Sequence, residues 1–229
     1  MKRLIVTGFP CGEVAWRKLF PDSNDQILTL AQVFKIAKSH DLRKLAKVVD
    51  QVISAGNFDH IICHDIGVTT TILALLSINK RKEAVPGFLT MFNGAFTGFD
   101  VFEARHPIWF QVKTTASIVK ELAATGIDVD PEILTFFPLI RKMYRQIIAV
   151  SLLEKLKGNQ VRKLNLPVSA LILEGRGDPY IPKSSIDELE KIFRQVKRLY
   201  AYDGHFPYLD TGEIIHEQIC ELEKRVNAK

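Results

Sequence analysis

Cysteine is scarce in this chain. Cys11, Cys63 and Cys220 are the only three, odd in number and widely spaced. They form neither a disulfide framework nor a zinc-binding pattern, so a reducing, cytoplasmic setting is expected. Long apolar runs are missing too. Stretches such as Ile147 to Val150 are far too short to span a bilayer. Basic Met1-Lys2-Arg3 is followed by only Leu4-Ile5-Val6 before Thr7-Gly8, so a secretory signal is not expected. There is no internal repeat, no low-complexity segment and no basic block with interleaved aromatics. The net charge is +5, from 31 basic and 26 acidic residues. The cations at Arg141-Lys142, Lys155 to Lys163 and Lys191 to Arg198 alternate with apolar residues at helical spacing. They read as solvated helix faces, so neither nucleic acid nor membrane is expected as a partner.

What is present is an ordinary globular mixture, 47% hydrophobic and 25% charged, over 229 residues. Area scaling for this mass buries roughly 72% of the unfolded surface, enough for a core without staples. The length fits one domain, or one domain with an insertion. Strand candidates run over Lys2–Thr7, Gln26–Leu30, Phe58–Cys63, Gly87–Phe92, Val168–Leu173 and Lys197–Tyr202. Helices are expected at Val14–Phe20, Leu42–Ala55, Val68–Ile78, Ser184–Phe193 and Thr211–Val226. Ser184 with Asp187, and Ser185 with Glu188, form a capping-box pattern. Strands separated by helices imply a parallel sheet with right-handed crossovers. From about Thr97 to Lys157 no strand candidate occurs. Ile108–Thr125 reads as a helix, Asp130-Pro131 as the start of another, and Pro138 as a kink or break.

Three loops at strand ends carry polar residues. Ile61-Ile62-Cys63-His64-Asp65-Ile66-Gly67 runs from strand to helix with almost no loop. That suits a nucleophile elbow with Asp65 at the reactive position, and equally a helix whose N-cap is Asp65. Asp178 lies in the Gly-Asp-Pro turn after the fifth strand, and His205 in Asp203-Gly204-His205-Phe206-Pro207 after the sixth. Each alone reads as a turn or surface residue. Together they lie at the C-terminal ends of parallel strands, where open α/β sheets place their sites. Their order along the chain is nucleophile, acid, base, that of the α/β-hydrolase triad.

Over nearly its whole length the chain resembles an α/β-hydrolase-fold protein, nearest the epoxide hydrolase and haloalkane dehalogenase branch with its Asp nucleophile. Gly8-Phe9-Pro10 with Trp16-Arg17 resembles that branch's oxyanion loop, and His64-Asp65-Ile66-Gly67 its elbow. Gly175 to Pro182 resembles the acid loop, and Gly204-His205-Phe206-Pro207 the histidine loop. The resemblance implies that Asp65 attacks saturated carbon and forms an alkyl ester. His205, oriented by Asp178, then activates water to hydrolyse it. The backbone N–H groups of Phe9 and Ile66 would hold the oxyanion.

Several positions depart from the branch. Thr7 replaces the usual His, and Ile66 replaces the Trp whose indole binds halide, which argues against dehalogenation. No arginine follows the elbow, as a fluoroacetate-type site would require. Cys63 and Val68 stand where Gly or Ala is usual and should crowd the elbow. In the helical insertion Tyr144 is a candidate acid for an epoxide oxygen, or a packing residue.

The expectation is an α/β-hydrolase fold with a three-layer, six-stranded parallel sheet in the order 2-1-3-4-5-6. Residues 1–96 and 158–229 form the core, and 97–157 a helical lid (cap). The two strands usual before the first are lacking. The edge beside the second strand is then either exposed or covered by a partner subunit, as in a homodimer. Catalysis would fall to Asp65, His205 and Asp178, with Cys11, His64, Trp109 and Tyr144 at the pocket of a small, mainly apolar substrate. No cofactor and no metal are expected. Two other readings stay open: Asp65 as a general base in esterase, lyase or cyclase chemistry, and a small-molecule binding protein without catalysis.

Overall fold

Leu4, Ile5 and Val6 are buried on both faces, as are all residues of His60–His64 and Phe88–Phe92. Such two-sided burial is the mark of a parallel sheet covered by helices on both sides. The computed structural model describes residues 1–22, 24–95, 111–127, 129–157, 166–209 and 213–227. Its strands are β1 (Arg3–Val6), β2 (Gln26–Leu28), β3 (His60–His64), β4 (Phe88–Phe92), β5 (Ser169–Arg176) and β6 (Val196–Asp203). They form one six-stranded sheet in the order β2-β1-β3-β4-β5-β6, every pair parallel, as the sequence led one to expect. Val6 pairs with Cys63, His64 with Phe92, and Phe92 with Leu173, so the strand ends are level. The loops after β1, β3, β4, β5 and β6 therefore open at one edge. Strand order reverses between β1 and β3, which puts a crevice there.

The helices are α1 (Glu13–Leu19), α2 (Leu30–Ala37), α3 (Leu42–Gly56), α4 (Ile66–Lys80), α5 (Thr115–Ala124), α6 (Pro131–Thr135), α7 (Phe137–Lys157), α8 (Lys183–Ile192) and α9 (Glu213–Asn227). The sequence reading missed α2, although its signal was present. Thr29 accepts from the Gln32 N–H and the Gln32 side chain accepts from the Thr29 N–H, a complete capping box. The capping box expected at α8 does not form. That helix starts at Lys183 with extended Pro182 as its N-cap and no side-chain cap. Ser185 is thus already inside it. The Asp187 and Glu188 carboxylates serve Arg198 (2.5 Å) and Lys191 (2.6 Å) instead.

Among the described residues three helices lie between β4 and β5. The helix expected over Ile108–Thr125 is broken at Thr114, whose hydroxyl caps α5 by accepting from the Ser117 N–H; residues 108–110 lie outside the described residues. Asp130 caps α6 with Pro131 in its first turn, as expected. Pro138 falls in the first turn of α7, where its missing N–H costs nothing, so the break precedes it. Ile133, Phe137, Ile140, Met143 and Tyr144 are buried in the same core as the sheet. This stretch sits on the loop after β1. Phe137 packs edge-on to Phe9 at 6.0 Å, and the Asp130 N–H donates to the Pro10 carbonyl at 3.1 Å. No helix among the described residues is long and apolar enough to cross a membrane.

Candidate active site

Asp65 sits between the last residue of β3 and the first of α4, at φ 51° and ψ −123°. A non-glycine residue pays for such a backbone, and it persists where the surroundings dictate it. The surroundings here are two glycines. A Cβ on Gly8 would lie 2.5 Å from Asp65 Cβ, and one on Gly67 2.5 Å from the Val6 carbonyl oxygen. Only hydrogen at these two places lets the β1 loop and the start of α4 close on the elbow. Asp65 stands at the N-cap position of α4, but its side chain makes no cap hydrogen bond to that helix. Val68 and Cys63 do not crowd the turn as expected. Gly94 leaves room for Val68, since a Cβ there would lie 2.3 Å from Val68 Cγ2. Cys63, within β3, sends its thiol toward the Thr90 carbonyl of β4 at 3.6 Å, with Thr71 of α4 beside it.

The Asp65 carboxylate is buried. Its Oδ2 accepts from the Phe9 N–H at 3.2 Å, and the Ile66 N–H also hydrogen-bonds to it. Burial pushes this carboxyl above its ordinary range. The positive charge available on His205 and the two N–H groups pull it back down. Thr7, in place of the usual His, steadies the loop that presents Phe9. Its hydroxyl donates to the Cys11 carbonyl at 3.3 Å and accepts from the Leu30 N–H at 3.2 Å. The Phe9-Pro10 peptide bond is cis.

Asp178 follows Gly177, which takes φ 67°. Its Oδ1 accepts from the N–H groups of Tyr180 (2.7 Å) and Ile181 (3.1 Å). With Oδ1 so fixed, Oδ2 faces His205 Nδ1 at 2.7 Å. The imidazole therefore carries its Nδ1 proton toward Asp178, leaving Nε2 as the basic nitrogen. Burial alone would lower the His205 pKa. The Asp178 carboxylate, and beyond it Asp65, outweigh burial, so the net direction is upward. Three rings box the imidazole: His64 and Phe206, each with centroids at 4.7 Å, and Tyr180 edge-on at 5.1 Å.

The structure thus brings Asp65, Asp178, His205 and the N–H groups of Phe9 and Ile66 to one edge of the sheet. His64 is fully enclosed, its ring against Trp16 at 5.5 Å and its Nε2 on the His205 carbonyl at 3.1 Å. Cys11 is buried with its thiol against the Tyr208 hydroxyl. Tyr144, on α7, is buried within reach of the Asp65 charge. Burial first, then that charge, hold its phenol well above the ordinary tyrosine range, so it keeps its proton. Trp109 lies outside the described residues. Sequence reasoning missed Asn93, just after β4, whose side chain meets both the Gly175 and Gly204 backbones. Its only sequence signal was Asn-Gly after a strand, which reads as an ordinary turn. Among the described residues no group of His, Cys, Asp and Glu could hold a metal ion.

No protein-family model and no curated protein sequence matches the chain. Solved structures do. YbtT, a type II thioesterase from the yersiniabactin NRPS/PKS pathway, superposes with a TM-score of 0.67 at 16% identity, over 96% of this chain and 92% of that one. ClbQ from the colibactin NRPS/PKS pathway gives 0.66 at 13%, over 99% and 97%. An epoxide hydrolase from Bacillus megaterium gives 0.61 at 15%, over 99% and 93%. With these likenesses and the sheet order above, the chain has the α/β-hydrolase fold.

Proposed function

We propose that this protein is a hydrolase that works through an alkyl ester on Asp65, on small and mainly apolar epoxides. One observation carries the reading: the carboxylate of Asp65 itself occupies the anion hole made by Phe9 and Ile66. In acyl transfer the hole must take the substrate's carbonyl oxygen. Here that place is filled, and an acyl group on Asp65 would be an anhydride. In alkyl transfer the hole has another task. It holds Oδ2 while Oδ1 attacks, and stabilises Oδ2 again when it becomes the oxyanion of ester hydrolysis. The thioesterase structures therefore lend the fold, and the epoxide hydrolase from Bacillus megaterium resembles the chemistry proposed here.

Asp65 Oδ1 bonds to an epoxide carbon as its C–O bond breaks, and the departing oxygen takes the proton of Tyr144. The Asp65 charge is one cause of the weak acidity of that phenol. It disappears as the neutral ester forms, so Tyr144 becomes a better donor as the reaction proceeds. His205 Nε2 then removes a proton from water, which adds to the Asp65 carboxyl carbon. Phe9 and Ile66 hold the oxyanion, and collapse expels Oδ1 with the product, protonated by the imidazolium. The second water proton, left on the new Asp65 carboxyl, is then released, and the Tyr144 phenolate takes one back, which restores both groups. Asp178 keeps the ring in the Nδ1–H tautomer. The lid proposed over residues 97–157, of which 97–110 lie outside the described residues, keeps bulk water out, and Phe137, Ile140 and Tyr144 give it apolar surface.

Intact-mass measurement of His205→Gln with excess aryl or alkyl epoxide tests this. The reading expects a stable adduct on the Asp65 peptide, heavier by the mass of the epoxide. Turnover without any adduct in this variant points to Asp65 as a general base. Tight binding with no turnover in the wild type points to a binding protein.

A further inference from the structure

We infer that Asn93 is a positioning residue for His205, fastening the histidine loop to the acid strand through both ends of its amide. The inference rests on the reading of His205 as the base.

Asn93 is the first residue after β4 and is buried. Its Oδ1 accepts from the Gly175 N–H at 2.9 Å. Its Nδ2 donates to the carbonyls of Gly204 at 3.0 Å and His205 at 3.4 Å. A backbone donor on one side and two backbone acceptors on the other leave the amide a single workable orientation. The backbone of Asn93 takes φ 33°, in the region where Asn is tolerated better than most residues. The side chain is thereby aimed sideways along the sheet edge, toward β5 and β6, whose next residues carry Asp178 and His205.

The two loops meet with no room to spare. A Cβ on Gly175 would lie 1.7 Å from the Gly204 carbonyl oxygen and 2.9 Å from Asn93 Nδ2. The Gly204 N–H donates to the Arg176 carbonyl at 2.8 Å, and Gly204 itself takes φ 74°. The sheet register shifts between Glu174 and Gly175, and pairing resumes with Gly175 opposite Tyr202 and Arg176 opposite Asp203. Asn93 binds at this irregularity and braces the new offset of the β5 and β6 ends from the β4 side. The Nδ1 to Oδ2 contact of 2.7 Å between His205 and Asp178 depends on that offset. His64 reaches the same His205 carbonyl from the elbow side, so one backbone oxygen is tied to both β3 and β4. A base displaced by an ångström loses much of its effect.

Asn93→Gly tests this, because glycine accepts the positive φ and removes only the amide. Asn93→Asp keeps the acceptor for Gly175 and deletes the donors to the histidine loop. Two readouts serve, after circular dichroism shows both variants folded. One is NMR titration of His205, identified by its absence in His205→Gln. The other is the rate of each half-reaction. In Asn93→Gly His205 is expected to titrate at lower pH than in the wild type. In both variants ester hydrolysis should slow about 10- to 100-fold, with Asp65 alkylation unchanged, so that adduct accumulates. A wild-type His205 titration in folded Asn93→Gly overturns the inference. So does wild-type hydrolysis by Asn93→Asp, since the tie to Gly175 would then suffice. If no protein, His205→Gln included, forms an adduct, the ester reading fails, and the titration still decides the role of Asn93.

Discussion

The Phe9 N–H points at Asp65 Oδ2 over 3.2 Å, so the hole proposed beside β1 holds a side chain of the protein itself. Substituting that side chain should change which esters the site can use. The wild type is expected to leave p-nitrophenyl acyl esters untouched above the rate of a His205→Gln control. Asp65→Ser empties the hole and supplies a hydroxyl beside His205. It is expected to gain acyl-ester turnover of about 10-fold or more over the wild type, because a hole donor is worth about 10²–10³. At the same time it loses epoxide turnover. Acyl-ester hydrolysis faster in the wild type than in the variant contradicts this.

The pH profile reports His205. In the proposed mechanism the base acts when neutral, so hydrolysis of the ester rises with pH through the His205 pKa. In the free protein Asp178 and, beyond it, Asp65 hold that pKa above the ordinary 6.5 against the pull of burial, whereas in the ester Asp65 is neutral and Asp178 alone holds it up. His205 of the free protein is therefore expected to titrate on the alkaline side of 6.5, and the acid limb of ester hydrolysis to lie at lower pH than that titration. Asp178→Asn should cut hydrolysis by about 10²–10⁴ and move the limb to lower pH. Stopped-flow measurement of adduct decay across pH checks both.

Tyr144→Phe keeps the packing of α7 in the core and removes one proton. Alkylation of Asp65 by an epoxide is expected to slow about 10²-fold. Decay of an adduct already formed should stay at the wild-type rate, because the second step does not use the phenol. Equal slowing of both steps would assign Tyr144 a structural part only.

The sheet was legible because its strands are short apolar runs bounded by Gly and Pro, and the parallel order follows from the helices between them. The elbow was legible as a pattern, but its nucleophile and helix-cap readings could not be separated in one dimension. The positive φ of Asp65 and its close approach to Gly8, which mark the turn as strained, belong to three dimensions. Asn93 was not legible at all. Its partners are backbone groups of Gly175, Gly204 and His205, 82 to 112 residues away, and backbone groups leave no mark in sequence. The failed capping box at α8 shows the converse. Ser185 and Glu188 had the right spacing, but Pro182 started the helix first.

A buried ionic cluster at the far end of the sheet makes one contribution to acid sensitivity. His60, fully buried, donates through Nδ1 to Glu223 at 2.7 Å and accepts at Nε2 from the Thr90 hydroxyl at 2.9 Å. Arg3 forks onto both Glu223 oxygens at 2.9 Å, tying α9 to β1 and β3. Although burial pushes Glu223 up, His60 and Arg3 bring it down from 4.5 to about 2. Burial lowers His60 below 6.5. In both cases the unfolded chain binds more protons, so stability falls as pH drops from about 6.5 toward 2. Glu223→Gln is expected to cost about 3 kcal/mol at pH 7 and to flatten that fall. Denaturant unfolding at pH 7 and pH 4 checks it. An equally steep acid loss in the variant would contradict it.

A single turnover in ¹⁸O-water tests the Asp65 ester most directly. Enzyme in excess converts an aryl epoxide once, and the peptide containing Asp65 is weighed. Water attacks the Asp65 carboxyl carbon, so one ¹⁸O is expected in that carboxylate and none in the product. Product carrying the label, with Asp65 unlabelled, would contradict the account.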